Sequence, residues 1–420
     1  MADKIVILGG GTGGTLVANR LQRLYGEAAS VTVIDRDDAH VYQPGLLFVP
    51  FGLAQPSEIV RPRHAQFRDG IDFRLDEVQS VDIAQNTVHL LGGPDVQYDL
   101  LVIATGASLQ PEETEGLTGL EWGRSIHTFY SLQGASALRR ALDSFKGGRL
   151  VVNVIDMPIK CPVAPLEFCF LADWQMRQLG LRDQVELMFV TPLDGAFTKP
   201  VASARLGALL DEKGIQVESE FATARIDASA QRLHSWDERE IPYDLLVAIP
   251  VHGGPEYIGR SEGLGNDLGF VAADRHTLQS RAAPNIFVIG DAADVPTSKA
   301  GSVTHFEGET VVENIQRFLD GAELVSSYDG HANCFVETGF RKALLIDYDY
   351  EAEPLPGRFP QAHLGPLPLL AESRLNHIAK LAFQPLYWHV LLPGHDIPGV
   401  SPQFHPVAAR HAAQGSRAPR

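Results

Sequence analysis

The sequence predicts an α/β protein with two Rossmann-like dinucleotide-binding domains. Three observations predict it: a glycine-rich loop between a strand and a helix at the N-terminus, a second strand–loop–helix unit near residue 150, and a later strand that ends in Gly-Asp near residue 290. A strand, a glycine loop and a helix in this order are typical of nucleotide-binding parallel sheets. We place a discontinuous first domain at 1–125 and 281–335, the second domain at 126–280 and a C-terminal region at 336–420.

The composition of the 420 residues is that of a folded globular protein, with 45% hydrophobic and 21% charged residues. A chain of this length can bury a sizeable core. Its formal net charge of −17 disfavours nucleic acid as a partner. Three cysteines are too few for a disulfide scaffold. We expect no signal peptide and no transmembrane helix, because the chain begins in a core strand and contains no run of about 18 apolar residues. We predict no metal site.

The first nucleotide site is predicted at the glycine-rich loop. The strand Ile5–Leu8 leads into a G-x-G-x-x-G pattern, and a helix with apolar residues at helical spacing follows. The first glycine permits the tight turn, the second lets the backbone approach a pyrophosphate, and the third lets the helix pack on the strand. Asp35 ends the second strand, 21 residues after Gly14, where a carboxylate can hold a ribose hydroxyl. The candidate cofactor-binding residues of this site are Gly9, Gly11, Thr12, Gly13, Gly14, Asp35 and Arg36.

Two later strands, Tyr98–Ile103 and Pro284–Ile289, end in short motifs that indicate the kind of cofactor. The motif residues are Ala104, Thr105 and Gly106 after the first strand and Gly290 and Asp291 after the second. Both motifs resemble signatures of the two-dinucleotide-binding-domain flavoproteins, which include glutathione reductase-like enzymes, type II NADH dehydrogenases and sulfide:quinone oxidoreductases. The resemblance implies FAD as the cofactor, Asp291 as the residue that holds the flavin ribitol, and a FAD domain that a second domain interrupts.

The same resemblance implies two further residues near the flavin. Lys299 precedes a helix from about His305 to Phe318, and family members direct the start of this helix at the flavin pyrimidine edge. A helix N-terminus and a nearby lysine stabilise the negative charge that grows there on reduction. Pro44 lies in the segment 40–45, where relatives have a proline-containing loop near the flavin.

The second Rossmann-like unit lacks a glycine loop. Its strand, Arg149–Ile155, is followed by Asp156–Pro165, which contains three prolines and no glycine. Bulky side chains prevent the close backbone approach that a pyrophosphate needs. We therefore expect that NAD(P)H does not bind there in the usual way. The chain also lacks the C-x-x-C pair of the thioredoxin reductase type.

Cys161 stands where the second glycine loop would be. The segment Cys161–Glu167 resembles the C-x-x-A-P-x-E/K motif of the sulfide:quinone oxidoreductases and of the flavoprotein subunit of flavocytochrome c sulfide dehydrogenase, and the resemblance covers nearly the whole chain. Pro162 suits the first helical position, which would put Cys161 at or near the N-cap. At the positive end of a helix and beside Lys160, the Cys161 thiol should ionise more easily than a free thiol.

The resemblance implies a catalytic pair, Cys161 and Cys334, that meets beside the flavin. Hydrosulfide attacks the bridged pair, a persulfide forms, and electrons pass to FAD. Glu167 is the candidate proton acceptor or donor, tuned by partial burial. We predict that Cys334 opens a strand that continues after a kink at Gly339, and that Cys169 belongs to the core.

The C-terminal region indicates a lipid-soluble electron acceptor. Leu375–Phe383 has the pattern of an amphipathic helix stopped by Pro385, and Leu386–Gly394 is rich in Tyr, Trp and Leu. This stretch resembles an interfacial membrane anchor. The family places such a segment in the bilayer interface and a quinone beside the flavin, so the fold class includes a membrane-associating C-terminal region. A helix that caps the core of the FAD domain remains the alternative.

The resemblance implies a sulfide:quinone oxidoreductase, an FAD-dependent enzyme that oxidises sulfide to polysulfide or sulfur and reduces a membrane quinone. We expect it at the periphery of the cell membrane, on the cytoplasmic side. Two alternatives remain open. One is another flavin dehydrogenase of this fold, acting on NADH or a persulfide donor, and the other is a non-catalytic FAD-binding partner of a sulfur-handling complex. The polysulfide length, the quinone, covalent attachment of FAD and a homo-oligomer also remain open.

Overall fold

The structure is a computed structural model that describes residues 3–360, 365–397, 400–401 and 403–404. Within them the helices are α1 (Thr12–Tyr25), α2 (Leu132–Ser144), α3 (Ala164–Gln178), α4 (Pro200–Glu212), α5 (Glu256–Gly259), α6 (Gly301–Leu319) and α7 (Arg374–Leu386). A π-helical turn, Tyr387–Leu391, continues α7. Among the described residues no helix is both long enough and apolar enough to cross a bilayer.

A five-stranded parallel sheet forms the centre of the first nucleotide-binding unit. From edge to edge its strands are Ile286–Val288, Leu100–Ile103, Asp3–Leu8, Ala29–Asp35 and Asp72–Leu75. Parallel sheets are covered on both faces, which explains the nearly continuous runs of buried Val, Ile and Leu. The strand at residues 286–288 returns to this sheet after the whole second unit, so its Gly-Asp turn lies at the same sheet edge as the glycine loop.

A second five-stranded parallel sheet lies between these two parts of the chain. Its strands in spatial order are Ile126–His127, Leu245–Ile249, Gly148–Val154, Val185–Val190 and Gln216–Glu218. The pairing of Ser108–Leu109 with His252–Gly253 connects the two units. The α/β class with parallel sheets is confirmed, while the predicted domain boundaries stay predictions.

Several smaller sheets accompany the two parallel sheets. They comprise Val78–Asp82, Thr87–Leu90 and Val96–Gln97; Thr223–Asp227, Arg232–Ser235 and Glu240–Pro242; Ala39–Val41 with Val60–Pro62; and Val271–Ala272 with Ala293–Asp294. A C-terminal sheet contains Ala332–Gly339, Lys342–Tyr348, Leu367–Leu369 and Gly357–Phe359 in that spatial order.

The prediction of one strand with a kink at Gly339 is wrong. Ala332–Gly339 and Lys342–Tyr348 are antiparallel and form a hairpin, which we call the C-terminal hairpin. Phe340 and Arg341 form its turn, with φ values of +54° and +60°. Positive φ at two successive positions reverses the chain in a tight hairpin, usually with Asn or Gly. Because Phe-Arg is not a recognised turn pair, the sequence pattern did not show the reversal.

Two predicted helix ends are also wrong. α3 begins at Ala164 with Val163 at the N-cap, so Pro162 is not the first helical residue, and Cys161 lies near the cap but not at it. α7 does not stop at Pro385 but passes through it into the π-helical turn. Proline lacks an N–H and removes one helical hydrogen bond, and the wider π turn that follows accommodates this defect.

The core packing brings the two catalytic cysteine candidates into one region. α3 packs on the strand Ala332–Gly339, and α7 packs on both strands of the C-terminal hairpin. Cys161 precedes α3 and Cys334 lies in the packed strand. Cys169 is fully buried within α3 among aromatic and aliphatic side chains, which confirms its assignment to the core.

Candidate active site

The glycine loop has the shape of a phosphate cradle. Gly9 has a φ of +92°, and a Cβ at Gly14 would lie 1.8 Å from the Gly9 oxygen. Gly13 packs against α6, where a Cβ would lie 3.1 Å from Thr304. Gly11 instead borders open space, and no described side chain caps α1. Open space beside Gly11 and a helix start without a side-chain cap fit the pyrophosphate of FAD.

Asp35 lies beside this loop, as predicted. Its Oδ2 accepts a hydrogen bond from the Gly10 N–H at 2.7 Å and pairs with Arg63 at 2.7 Å. Burial raises the pKa of Asp35, and Arg63 and the Gly10 N–H oppose that rise. Arg36 points away, with its side chain 71% exposed and Asp37 as its ionic neighbour. Arg63, which no motif marks, is the cation that pairs with Asp35, and cofactor binding by Arg36 stays a prediction.

The motifs of the two later strands meet the glycine loop. A Cβ at Gly9 would lie 2.6 Å from the Ala104 oxygen, so these two segments touch. The Thr105 hydroxyl is 3.1 Å from the Tyr257 hydroxyl, and Gly106 has a φ of +69°. The predicted residues 104–106 thus line the same edge of the sheet as the loop.

Lys299 supports the Gly290–Asp291 turn. Its Nζ donates to the main-chain oxygens of Asp291 at 2.8 Å and Ala293 at 3.0 Å. Burial lowers the pKa of Lys299, and Asp291 opposes this effect most strongly. Burial raises the pKa of the Asp291 carboxyl, and Lys299 opposes that rise. In this structure the Lys299 ammonium holds the backbone of the turn.

Glu307 is a buried acid that the sequence analysis missed. Its Oε2 accepts from the Gly290 N–H at 2.6 Å, while its Oε1 has no partner among the described residues. Burial raises the pKa of Glu307 to about 7, and the Gly290 N–H opposes this rise. An acidic residue on the buried face of the predicted helix was the signal that could have identified it.

Cys161 occupies a strained position between the two units. Its φ is +47°, in the left-handed region that residues other than glycine rarely adopt. Its N–H donates to the Lys299 oxygen at 2.6 Å, and its carbonyl accepts from the Ala164 N–H at 2.9 Å and the Tyr130 hydroxyl at 3.3 Å. These three hydrogen bonds fix the backbone that carries the thiol. Strain of this kind is characteristic of functional positions.

The expectation that Cys161 ionises easily is wrong for this structure. Burial raises the pKa of Cys161 to about 12, Glu167 raises it further, and the Lys380 ammonium opposes both. Lys160 was expected to stabilise the Cys161 thiolate, but it is not among the groups that lower the pKa of Cys161. Burial also lowers the pKa of the Lys160 ammonium itself. Desolvation of the thiolate thus outweighs the favourable position near a helix start.

Cys334 lies near Cys161. Both are free thiols, as is Cys169. Burial, followed by the neighbouring Cys161, raises the pKa of Cys334 well above its ordinary value. Both cysteines are unlinked thiols in this structure, and their role as a redox pair stays a prediction.

Glu167 belongs to a cluster of four titratable residues, which we call the acid–base cluster: Glu167, Lys380, Glu337 and His377. Glu167 Oε1 accepts from the Glu337 N–H at 2.6 Å and from Lys380 Nζ. Lys380 Nζ also donates to the Phe335 oxygen at 2.9 Å. Glu167 is 2% exposed, so its burial is complete rather than partial. Burial raises the pKa of Glu167, with Lys380 opposing, and Glu167 raises the pKa of Lys380.

A cavity of about 260 Å³ adjoins the acid–base cluster, and we call it the acceptor cavity. Its aromatic lining consists of Tyr42, Phe48, Trp174 and Phe340. Its charged and polar lining residues include Glu337, Arg341, His377, Lys380 and Gln384. Phe340 therefore lies at this cavity. Tyr348, on the second strand of the C-terminal hairpin, is not among the lining residues, and its hydroxyl forms a hydrogen bond with the Ser298 hydroxyl. Sequence reasoning missed the polar residues because they come from a hairpin and a helix far apart in the chain.

Tyr387 and Trp388 are buried against the first nucleotide-binding unit and do not form a surface belt. They are 2% and 4% exposed. The Tyr387 hydroxyl is 2.6 Å from His40 Nε2 and 2.8 Å from the Thr12 hydroxyl, so it joins the C-terminal helix to the glycine loop. Tyr387 and Trp388 therefore cap the core of the first nucleotide-binding unit, which was the alternative to a membrane anchor. Pro44 is exposed in the turn Gln43–Leu47 beside this contact.

Comparisons with known proteins agree with this arrangement. The family described as "Pyridine nucleotide-disulphide oxidoreductase" matches residues 3–152. The mitochondrial sulfide:quinone oxidoreductase of Mus musculus is 26% identical over 400 residues, which cover 93% of this chain and 87% of the relative. The sulfide-quinone reductase of Aquifex aeolicus is 25% identical over 311 residues, or 70% of each protein.

A solved structure shows the same fold. The sulfide:quinone oxidoreductase of Aquifex aeolicus superposes with a TM-score of 0.77 at 21% identity, covering 94% of this chain and 92% of that one. The resemblance to sulfide:quinone oxidoreductases that the motifs indicated is thereby confirmed over nearly the whole chain, as is the expectation of FAD as the cofactor.

Alanine at Gly11 and at Gly14 is expected to impair the protein in different ways. Gly14→Ala forces a Cβ into the Gly9 carbonyl, so we expect the apoprotein to lose about 1–3 kcal/mol of unfolding free energy. Gly11→Ala meets no protein atom, so we expect normal apoprotein stability but reduced flavin content. Urea unfolding of the apoproteins and flavin absorbance per chain measure the two effects. Full flavin content in Gly11→Ala would contradict the close approach to a pyrophosphate.

Proposed function

We propose that this chain oxidises sulfide to polysulfide or sulfur and passes the electrons through FAD to a quinone. The observation that carries the proposal is the Glu167–Lys380 pair, which joins the start of the helix after Cys161 to the strand of Cys334 and adjoins an aromatic cavity. Relatives named for this activity match more than nine-tenths of the chain. Bound FAD would supply the two-electron acceptor that links thiol chemistry to a quinone.

The sulfur chemistry follows thiol–disulfide exchange. In the oxidised form Cys161 and Cys334 are bridged, and hydrosulfide attacks one sulfur. The bridge breaks, leaving a persulfide on one cysteine and a thiolate on the other. Closing the bridge again through the added sulfur would release one proton and two electrons, and bound FAD would be the acceptor of those electrons. Repeated attack lengthens the sulfur chain until it is released.

Glu167 and Lys380 govern charge and protons in this step. Burial makes a thiolate costly at Cys161, and the Lys380 ammonium offsets part of that cost. Glu167, whose pKa burial raises, accepts the proton released when the bridge closes. Its fixed hydrogen bond to the Glu337 N–H keeps the carboxylate oriented between the sulfur region and the acceptor cavity.

The acceptor cavity fits the head of a quinone. Four aromatic side chains provide faces on which a flat ring stacks. Ammonium, imidazole and carboxyl groups at its wall provide hydrogen bonds to carbonyl oxygens. These residues support the assignment of the quinone to this cavity.

An apolar rim surrounds the mouth of this cavity. Leu53, Phe340, Leu375, Ile378 and Leu381 are between 40% and 59% exposed. Leu375, Ile378 and Leu381 share one face of α7 by their spacing. The exposed basic residues Arg341, Lys342 and Arg374 lie along the same edge, although the chain as a whole is acidic. An apolar patch with a basic border fits a peripheral position on an anionic lipid surface.

Cys161→Ser is expected to abolish reduction of the flavin by sulfide. The substitution removes the sulfur that forms the bridge and the persulfide, and leaves the flavin site unchanged. Anaerobic stopped-flow absorbance measures flavin bleaching, and Cys169→Ser, a change in the core cysteine, is the matched control. If sulfide bleached the flavin of Cys161→Ser at the rate of the control variant, the proposed sulfur chemistry would be wrong.

NADH in place of sulfide separates the leading proposal from the NADH dehydrogenase alternative. We expect the flavin to stay oxidised, because residues 156–165 offer no glycine for the approach of a pyrophosphate. The measurement is the same stopped-flow experiment with wild-type protein. Rapid bleaching by NADH would favour the alternative.

Substitution of apolar rim residues by charged residues is expected to release the protein from membranes. Wild-type protein should stay with anionic vesicles in high salt and leave them in detergent, whereas the double variant Ile378→Glu, Leu381→Glu should remain soluble. Leu120→Glu, at a residue that is 84% exposed elsewhere, is the matched control. Vesicle sedimentation measures binding. Release of wild-type protein by salt alone would contradict apolar insertion.

A further inference from the structure

A histidine–carboxylate pair at the wall of the acceptor cavity has no part in the sulfur chemistry described above. His377 Nδ1 lies 2.9 Å and 3.0 Å from the two oxygens of Glu337. The side chain of His377 is 17% exposed and that of Glu337 only 3%. The pair therefore joins a partly exposed imidazole to a buried carboxyl group, and both residues line the cavity.

The proposed reaction requires a proton from outside, and this inference rests on that function. Hydrosulfide loses two electrons and one proton when it becomes sulfur, whereas a quinone takes up two electrons and two protons. The balance is HS⁻ + quinone + H⁺ → S + quinol, so each turnover draws one proton from solvent. The apolar rim against lipid does not conduct protons, so a polar entry must exist elsewhere in the cavity wall.

We propose that His377 and Glu337 form the proton inlet of the acceptor cavity. His377 takes a proton from solvent and passes it to the Glu337 carboxylate, breaking an N–H bond and forming an O–H bond. Glu337 then gives this proton to a quinone oxygen as the electrons arrive from FAD. The second proton comes from the sulfur side, through Glu167.

The surroundings of Glu337 suit a proton donor. Burial raises the pKa of the Glu337 carboxyl, and Lys380 and His377 on α7 oppose that rise. Glu167 on α3 accepts from the Glu337 N–H, and Arg341 of the hairpin turn and Tyr42 also line the cavity. Lys380 keeps its proton because the bond to Glu167 raises its pKa, and burial raises the pKa of Tyr42. Lys380 and Tyr42 are thus poorer proton donors than Glu337.

The alternative is that the pair only braces α7 against the C-terminal hairpin. A brace would affect stability and quinone affinity equally at all pH values. A proton inlet affects the rate of quinone reduction, and its effect depends on pH and on added proton carriers. The two roles therefore predict different kinetics.

The test measures the oxidative half-reaction of the detergent-solubilised full-length flavoprotein. The flavin is reduced anaerobically with sulfide, and in parallel with dithionite, and is then mixed with a saturating short-chain ubiquinone analogue. The variants are His377→Gln, His377→Ala and Glu337→Gln. His89→Gln, in the surface pair with Asp95 at 2.9 Å, is the matched control.

We expect reoxidation to slow by about tenfold or more in the three variants and to stay unchanged in the control. The wild-type rate should fall as pH rises, since a donor must be protonated, and this dependence should vanish in Glu337→Gln. Imidazole should restore the rate of His377→Ala, because the His377 side chain is partly exposed and lines the cavity. Sulfide bleaching should be normal in the His377 variants.

Reoxidation of the His377 variants at the control rate across all pH values would overturn the inlet. A slow rate that neither changes with pH nor responds to imidazole would overturn it in favour of the brace. Failure of sulfide to bleach the wild-type flavin would instead refute the proposed function, and the dithionite series would still decide the inlet. If Glu337→Gln does not fold, the His377 variants decide.

Discussion

The buried ion pair between Glu167 and Lys380 holds the catalytic region together. It joins α3 to α7, and both partners also bond to the strand between them, through the Glu337 N–H and the Phe335 carbonyl. Removing one partner of a buried pair leaves an uncompensated charge and typically costs about 3–5 kcal/mol. The position of the C-terminal hairpin, and therefore of Cys334, depends on this contact.

The same pair separates two chemical environments. Successive side chains of a strand point to opposite faces, so Cys334 and Glu337, three residues apart, face opposite sides of the hairpin. The thiols lie on one side in surroundings that oppose ionisation, and the acceptor cavity lies on the other. Charge at Lys380 acts on both sides, because fields are weakly screened in a low-dielectric interior. In the proposed function, this arrangement keeps the sulfur chemistry and the quinone chemistry apart.

Features that depend on a few neighbouring residues could be predicted. The glycine loop, Asp35 at its strand end and the absence of glycine after the strand at residues 148–154 all follow from local backbone sterics. The start of α3 could not be placed, because a proline suits either Pro162 or Pro165 and only the packed loop decides between them. The hairpin turn was missed because Phe340 and Arg341 adopt conformations imposed by the strands around them.

The sequence by itself determined the strand–loop–helix order of the first nucleotide-binding unit, its phosphate cradle and the cysteine motif, since each of these rests on neighbouring residues. Only the tertiary structure decided the charge of the site. Glu167 and Lys380 are 213 residues apart, and Tyr387 reaches the glycine loop across 375 residues. The pKa of Cys161 rises because folding removes water from the thiol, a change that outweighs the local helix start and lysine. Desolvation belongs to the assembled interior, so no segment read alone reveals it.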